Sequence, residues 1–360
     1  MDKIVKSILN LAVLSATKFP VGLQSQVEEL IGTIKNQSTE VYTIGISGGG
    51  GYGKTTLAKA IYNQLSGMFT EKSFIEDIGR VNGTGWRIHL QEQVLFDVLK
   101  TKVEITSFEM GRRMIRERLS GKRVLIVLDD VHDFLELVWK CREWFSGGTV
   151  IIITTRNVDL PWILQVDSVF PLKLMNPEES LELLSWHAFR EAKPKEEYKY
   201  LAKNVVSHCG GVPLTLEVIG NYLFERTDEE WYSVLFKLKK IPLSNIRRKL
   251  KIGFDGLRNE IEKDFFLDVC SSFVGKGRAF VRKILNGCGV DADSGIRVLI
   301  ERSLIKVERN NKLGMHPLIQ QMGREIIRES SRKEYRKNRR QWFADATYVL
   351  TDNTVRIHFM

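Results

Sequence analysis

The sequence predicts an α/β fold, a parallel sheet with helices on both faces, followed by a helical subdomain and a winged-helix subdomain. Three observations carry the α/β part. Gly48-Gly49-Gly50-Gly51-Tyr52-Gly53 lies between an apolar run, Val41 to Ile46, and a helical run, Thr55 to Leu65. A second apolar run, KRVLIVLDDVHD over 122–133, ends in Asp129 and Asp130. A third, GTVIIITTRN over 148–157, ends in Thr154, Thr155 and Arg156. Near-continuous Val, Leu and Ile is the pattern of strands buried on both faces. The segments between them, HLQEQVLFDVLK (89–100) and FEMGRRMIRERLSG (108–121), read as crossover helices, so the succession is β-α-β with parallel strands.

Gly48 through Thr55 fits G-x-x-x-x-G-K-[ST], a phosphate-binding loop. Glycine admits positive φ, so backbone N–H groups can crowd around phosphate oxygens, and the helix that follows turns its N-terminal dipole to the same anion. Candidate nucleotide contacts are Gly48, Gly50, Gly51, Tyr52, Gly53, Lys54, Thr55 and Thr56. Lys54 is placed to reach the β- and γ-phosphates and Thr55 to hold Mg²⁺. Carboxylates at the C-terminal end of a strand lie where open α/β sheets bind ligands. Asp129 is the candidate Mg²⁺-side carboxylate, Asp130 the candidate to orient an attacking water, and Arg156 a cation for a γ-phosphate.

The bulk composition, 43% apolar and 27% charged over 360 residues, suits two or three domains with real cores. No apolar run approaches the roughly 20 residues that a membrane-spanning helix needs. Near the N-terminus, Ile4, Ile8 and Leu11 fall at helical spacing with Asn10 interrupting, which reads as an amphipathic helix rather than a secretory leader. Cys141, Cys209, Cys270 and Cys288 are scattered, so neither zinc nor a disulfide framework is indicated. The net charge is +10, and residues 324–340 hold eight basic and three acidic side chains, half of that total. No aromatic ladder interleaves the run, so it reads as a solvated face or a dock for an acidic partner rather than a nucleic-acid site.

The rest of the chain reads as helices and one hairpin. Asn176 with Glu179 three residues on marks a helix start, and Leu181, Leu184 and Ala188 continue it at helical spacing. Pro242 and Ser244 punctuate the next boundary. Beyond them come several helices, then SLIKVE (303–308), RNNK and LGMH (313–316), a strand–turn–strand wing. The expected organisation is a linker helix at 1–19, a P-loop nucleotide-binding domain at 20–170, a helical subdomain at 171–242, a winged-helix subdomain at 243–345 and a tail at 346–360.

With these residues placed, the chain resembles, from Ile4 to Leu350, the NB-ARC domain of plant disease-resistance proteins, signal-transduction P-loop NTPases, and most closely the branch linked to TIR domains. FPVGLQSQVEEL (19–30) resembles the motif whose backbone contacts adenine, here Val21 and Gly22. REWFSGGTVIIITTRN (142–157) is similar to the strand carrying the family's sensor arginine, here Arg156. CGGVPLTLEVIG (209–220) resembles the GLPL motif, which puts Pro213 and Leu214 near base and ribose. KDFFLDVCSSFVG (263–275) is similar to the segment typical of the TIR-linked branch. LGMHPLIQQMGREI (313–326) resembles the MHD motif, which makes His316 the contact to the ADP β-phosphate.

The resemblance implies an ADP/ATP switch in plant innate immunity, closed with ADP, opened by ATP, reset by slow hydrolysis, and at most a weak ATPase. It implies an adenine nucleotide with Mg²⁺ as cofactor, other immune-receptor or signalling proteins as partners, assembly of the ATP-bound form as one outcome, and the cytoplasm or nucleus as location. Nothing similar to a TIR or coiled-coil domain precedes residue 4 and no leucine-rich repeat follows, which implies a truncated product, an excised region or a decoy. The family's Met-His-Asp is Met315-His316-Pro317 here. Proline has no N–H and no side-chain acceptor, so the expectation is a weakened closed state. Gly49 and Tyr52 stand where the family commonly has apolar residues, and Gly49 is expected to loosen the loop. Two other readings stay open: an AAA-like ATPase acting on nucleic acid, and a scaffold whose P-loop is vestigial.

Overall fold

The computed structural model describes residues 14–35, 41–78, 86–131, 145, 147–308 and 310–331. The expected N-terminal helix at Ile4 to Leu11, Cys141, the basic run beyond 331 and the tail lie outside the described residues. The chain divides between Leu174 and Met175 into two compact units.

The first unit is built on a five-stranded parallel sheet: β1 (Tyr42–Ser47), β2 (Glu71–Ile75), β3 (Val124–Leu128), β4 (Val150–Thr155) and β5 (Ser168–Pro171), in the order β2-β3-β4-β1-β5. Successive side chains on a strand point to opposite faces, and here both faces are covered. Ile44, Ile46, Leu125, Val127, Val150 and Ile152 meet α1 (Leu23–Lys35) and α2 (Lys54–Leu65). Val124, Ile126, Leu128, Ile151 and Ile153 meet α3 (Trp86–Leu99), α4 (Phe108–Leu119) and the short α5 (Leu160–Ile163). Each of these buried aliphatic side chains contributes about 1.5–3 kcal/mol from water-excluded area. The two edge strands β2 and β5 escape a reading of the sequence because they are short and only half buried, with no continuous apolar run.

The second unit begins with α6 (Pro177–Ala188), α7 (Lys199–Cys209), α8 (Pro213–Leu223) and α9 (Asp228–Lys239). The expected start at Asn176 is a capping box: its side chain accepts from Glu179 N at 2.8 Å, and the Glu179 carboxylate accepts from Asn176 N at 3.0 Å. The buried face of α6 uses Leu183, Leu184 and Ala188, with Leu181 at its margin. Then follow α10 (Ile246–Asp255), α11 (Glu260–Asp268) running into a π-helical turn (Val269–Phe273), α12 (Arg278–Gly287) and α13 (Ala292–Glu301). The antiparallel hairpin β6 (Lys306–Val307) and β7 (Leu313–Gly314) is the wing, and α14 (Pro317–Ser331) closes the described chain.

Phe265, Phe266, Phe273, Val281, Leu285, Ile296, Leu299, Met315 and Ile319 form the core of the winged helix, and Val218 of α8 is buried in the same cluster. Polar groups reinforce that junction. Asn221 Nδ2 donates to Ser303 Oγ at 2.7 Å, and Arg302 NH1 donates to Asn221 O at 2.9 Å. Lys249, fully buried, donates to Leu243 O at 2.8 Å.

Candidate functional site

The glycine loop leaves β1 and ends on α2. Gly51 and Gly53 have φ of 81° and 99°, the left-handed region that other residues rarely adopt, and Gly53 is the N-cap of α2 with no side-chain cap. The first amides of α2 therefore have no side-chain acceptor from the cap and face the loop, which is how a helix start receives an anion. At Gly49 an added Cβ would stand 2.7 Å from the Tyr52 ring. The expected looseness at Gly49 is thus replaced by a close contact: the missing side chain makes room for an aromatic ring that braces the loop.

Lys54 begins α2 and folds back over the loop. Its Nζ donates to Gly48 O at 2.7 Å and Gly49 O at 2.9 Å. It is 7% exposed. Burial, helped by the nearby Arg156 charge, pushes its amine down to about 8, against the pull of Asp130 and Asp129.

Strand order brings the second half of the site to the first. β4 lies between β1 and β3, with Ser47 opposite Thr155 and Leu128 opposite Ile153. One residue past that pair, Thr154 Oγ1 donates to Asp129 Oδ1 at 2.6 Å and accepts from Asp130 N at 2.9 Å. From the other side Thr55 Oγ1 donates to the Asp129 carboxylate, 3.0 Å from each oxygen. Asp129 is 1% exposed. Burial pushes its carboxyl up to about 6, opposed by the hydroxyls of Thr154 and Thr55 and reinforced by the charges of Asp77 and Asp130.

A buried carboxylate with a hydroxyl beside it is a hard, oxygen-only donor set. It suits Mg²⁺, which keeps several waters and takes one or two protein ligands together with phosphate oxygens. Among the described residues no group of three or more His, Cys, Asp or Glu could cage a metal alone. Thr55 and Asp129 are the residues that would hold it.

Asp130 and Arg156 are brought together directly: Nε donates to Oδ1 at 3.0 Å and Nη2 to Oδ2 at 2.8 Å. Val21 and Gly22 precede α1, whose Val27, Leu30 and Ile31 pack in one cluster with Leu57 and Ile61 of α2. Gly22 has a φ of 66° and its carbonyl accepts from Gln26 Nε2 at 3.2 Å. Thr56 lies in the first turn of α2.

Pro213, Leu214 and His316 belong to the second unit. Pro213 opens α8, and Leu214 packs against the winged-helix core. His316 stands at the start of α14: its carbonyl accepts from Gln320 N at 3.0 Å and its Nδ1 from Leu318 N at 3.1 Å. An Nδ1 that accepts puts the proton of a neutral ring on Nε2. Pro317 is the first helical residue, where a missing N–H has no consequence.

Two residues of the site went unassigned from sequence. Thr154 is the clamp on Asp129; its signal is a hydroxyl residue closing an otherwise aliphatic strand. Asp77, just past β2, adds charge to Asp129, and was hidden because β2 itself lacks a strand signature.

Residues 23–194 match the family described as the NB-ARC domain, and residues 259–331 match the winged-helix domain of Roq1-like disease resistance protein. The disease resistance protein RUN1 of Vitis rotundifolia is 43% identical over 326 residues, which is 89% of this chain and 24% of RUN1. RPV1 of the same species is 42% identical over 326 residues, 89% of this chain and 23% of RPV1. The TMV resistance protein N of Nicotiana glutinosa is 34% identical over 344 residues, 93% of this chain and 30% of N. The chain thus spans about a quarter of the length of RUN1 and RPV1.

Proposed function

Because this chain carries an NB-ARC domain followed by a winged helix of the Roq1-like type, we propose that it is the nucleotide-controlled switch of a plant disease-resistance protein. The observation that carries the reading is the cradle around Lys54: uncapped helix amides, a buried amine, and a buried Asp129 braced by Thr55 and Thr154. These charges are unfavourable where they stand and become favourable against a Mg²⁺-bound di- or triphosphate.

With ADP bound, Lys54 and the loop amides would hold the phosphates and Val21 and Gly22 would meet the adenine; the resemblance assigns Pro213 and Leu214 to base and ribose and His316 to the β-phosphate. Thr55 and Asp129 would hold Mg²⁺, which would supply charge neutralisation at the phosphates. Exchange for ATP would place the added phosphate at Arg156 and open the closed state, and slow hydrolysis with Asp130 orienting the water would reset the chain. Moving a two-state population from mostly closed to mostly open takes about 5 kcal/mol of differential affinity. One charge-assisted hydrogen bond contributes about 1.5–3 kcal/mol, so His316 is one of several contacts that hold the closed form. The switch serves resistance signalling through other immune-receptor or signalling proteins, in the cytoplasm or nucleus. Among the described residues no helix is long and apolar enough to cross a membrane.

Mass spectrometry of the nucleotide that co-purifies with the chain tests the reading, together with calorimetry against ADP and ATP. Bound adenine nucleotide, lost in Lys54→Ala, is the expected result; a flat titration, or retention unchanged in Lys54→Ala, leaves a scaffold. The nucleic-acid reading gains nothing from the helix before the wing, α13, whose exposed Ser294, Arg297, Ile300 and Glu301 carry no net positive charge. DNA-stimulated multiple turnover would restore it.

A further inference from the structure

Arg156 and Asp130 leave the ends of neighbouring parallel strands and close on each other fork to fork, at 3.0 and 2.8 Å. At both strand ends a threonine hydroxyl accepts from the backbone beside the pair. Asp130 has a φ of 57°, a left-handed conformation that aspartate tolerates better than most residues. In that conformation its own N–H donates to Thr154 Oγ1. After Arg156 the chain turns with Asn157 N on Thr155 Oγ1 at 3.1 Å. The Asp130 side chain is 10% exposed and that of Arg156 29%, so the pair is shielded on the carboxylate side and open on the guanidinium side.

This arrangement has a chemical consequence. A carboxylate whose two oxygens both accept from one guanidinium keeps free lone pairs but has its charge offset, which makes it a weaker base toward the hydrogen of a water. A guanidinium committed through Nε and Nη2 to a carboxylate must turn away before it can grip a phosphate with the same two prongs.

We propose that the Asp130–Arg156 pair is an interlock, which keeps the water-orienting carboxylate occupied until a third phosphate draws Arg156 off it. The proposal rests on the nucleotide reading above. A diphosphate stops short of Arg156 and leaves the pair closed. A terminal phosphoryl group, with more charge and more oxygens than one carboxylate, competes for the guanidinium. Sensing of the triphosphate and exposure of Asp130 are then one event. The pair also biases the chain toward the diphosphate, since only the triphosphate has to break it.

The test is a double-mutant cycle on the ratio of affinities for a non-hydrolysable ATP analogue and for ADP, by calorimetry with Mg²⁺. Asp130→Asn should raise that ratio about tenfold in the native background, and leave it within about twofold in an Arg156→Gln background. If Asp130 acts only by repelling the added phosphate, the ratio rises equally in both backgrounds and the interlock is overturned. Should Arg156→Gln fail to fold, Arg156→Lys takes its place, since it keeps the charge and loses the fork. A native chain that binds neither nucleotide overturns the nucleotide reading and the interlock with it; a native chain that binds both, with an additive cycle, overturns the interlock alone.

Discussion

The cradle around Lys54 and the turn at His316 hold their polar groups in opposite ways. In the cradle, an amine and a carboxylate are buried almost completely and are shifted toward their neutral forms, to about 8 and about 6. At His316 the imidazole is half buried and is satisfied by an amide of its own helix. Buried charge without full compensation lowers stability, and a charged ligand in the cradle would offset that cost. His316 has a local structural role as well, as the acceptor that caps α14. A variant in the cradle should therefore lose binding and gain apo stability, whereas a variant at His316 should lose both.

The largest expected effect sharpens that contrast. Lys54→Ala should weaken nucleotide affinity by at least about 100-fold, equivalent to about 2.7 kcal/mol, without lowering the melting temperature of the nucleotide-free chain. An equal loss of both in thermal scans with and without ADP would break the comparison. Asp129→Asn comes next. Its carboxyl is raised to about 6 in the folded chain from an ordinary 3.8. The folded state thus holds that proton more tightly, and ionised Asp129 disfavours folding above pH 6. Asp129→Asn should stabilise the nucleotide-free chain by about 1–3 kcal/mol at pH 7.5. The gain should shrink as pH falls from 6 toward 4, in denaturant titrations at several pH values, while Mg²⁺ dependence of binding disappears.

Lys54 gives the complementary pH dependence. Its amine, lowered from 10.5 to about 8, loses its proton early, so nucleotide affinity should fall by several-fold between pH 7.5 and 9.5. Binding near pH 8 should take up protons, measured by calorimetry in buffers of different ionisation enthalpy; a constant heat across buffers would count against it. At the other region the expected effect is smaller. Pro317→Asp adds a carboxylate beside His316 and should slow ADP dissociation by about 3–10-fold, read by stopped-flow release; equal rates remove Pro317 as a weakness of the closed state. Smallest is an order of events within the second unit. Cys288 is partly exposed, whereas burial pushes the Cys209 thiol up to about 12. Cys288 should therefore react with a thiol reagent before Cys209 does, as peptide mass mapping would show.

How much of this was legible varies with the residue. The loop glycines, Lys54, Thr55 and the paired aspartates stand out because their chemistry is local: a backbone needing positive φ, and charges closing an aliphatic run. The helix start at Asn176 is legible for the same reason, since a capping box is complete within four residues. Thr154 and Asp77 were not assigned, because nothing near them in sequence says which carboxylate they will meet. The brace of Tyr52 on Gly49 was also invisible, and the glycine read as looseness.

By itself the sequence determined that apolar strands alternate with helices, that a phosphate-binding loop follows the first of them, and that carboxylates and an arginine close later ones. Each of these follows from the φ/ψ limits and side-chain chemistry of a few neighbouring residues. Tertiary structure alone decided that β4 inserts between β1 and β3, which sets Thr154 on Asp129 and Arg156 on Asp130. The physical reason is that buried parallel strands are equally apolar on both faces and carry no local mark of their neighbours. Their order is chosen by the packing of the whole sheet against its helices, and the pairing of charges at its edge follows from that order.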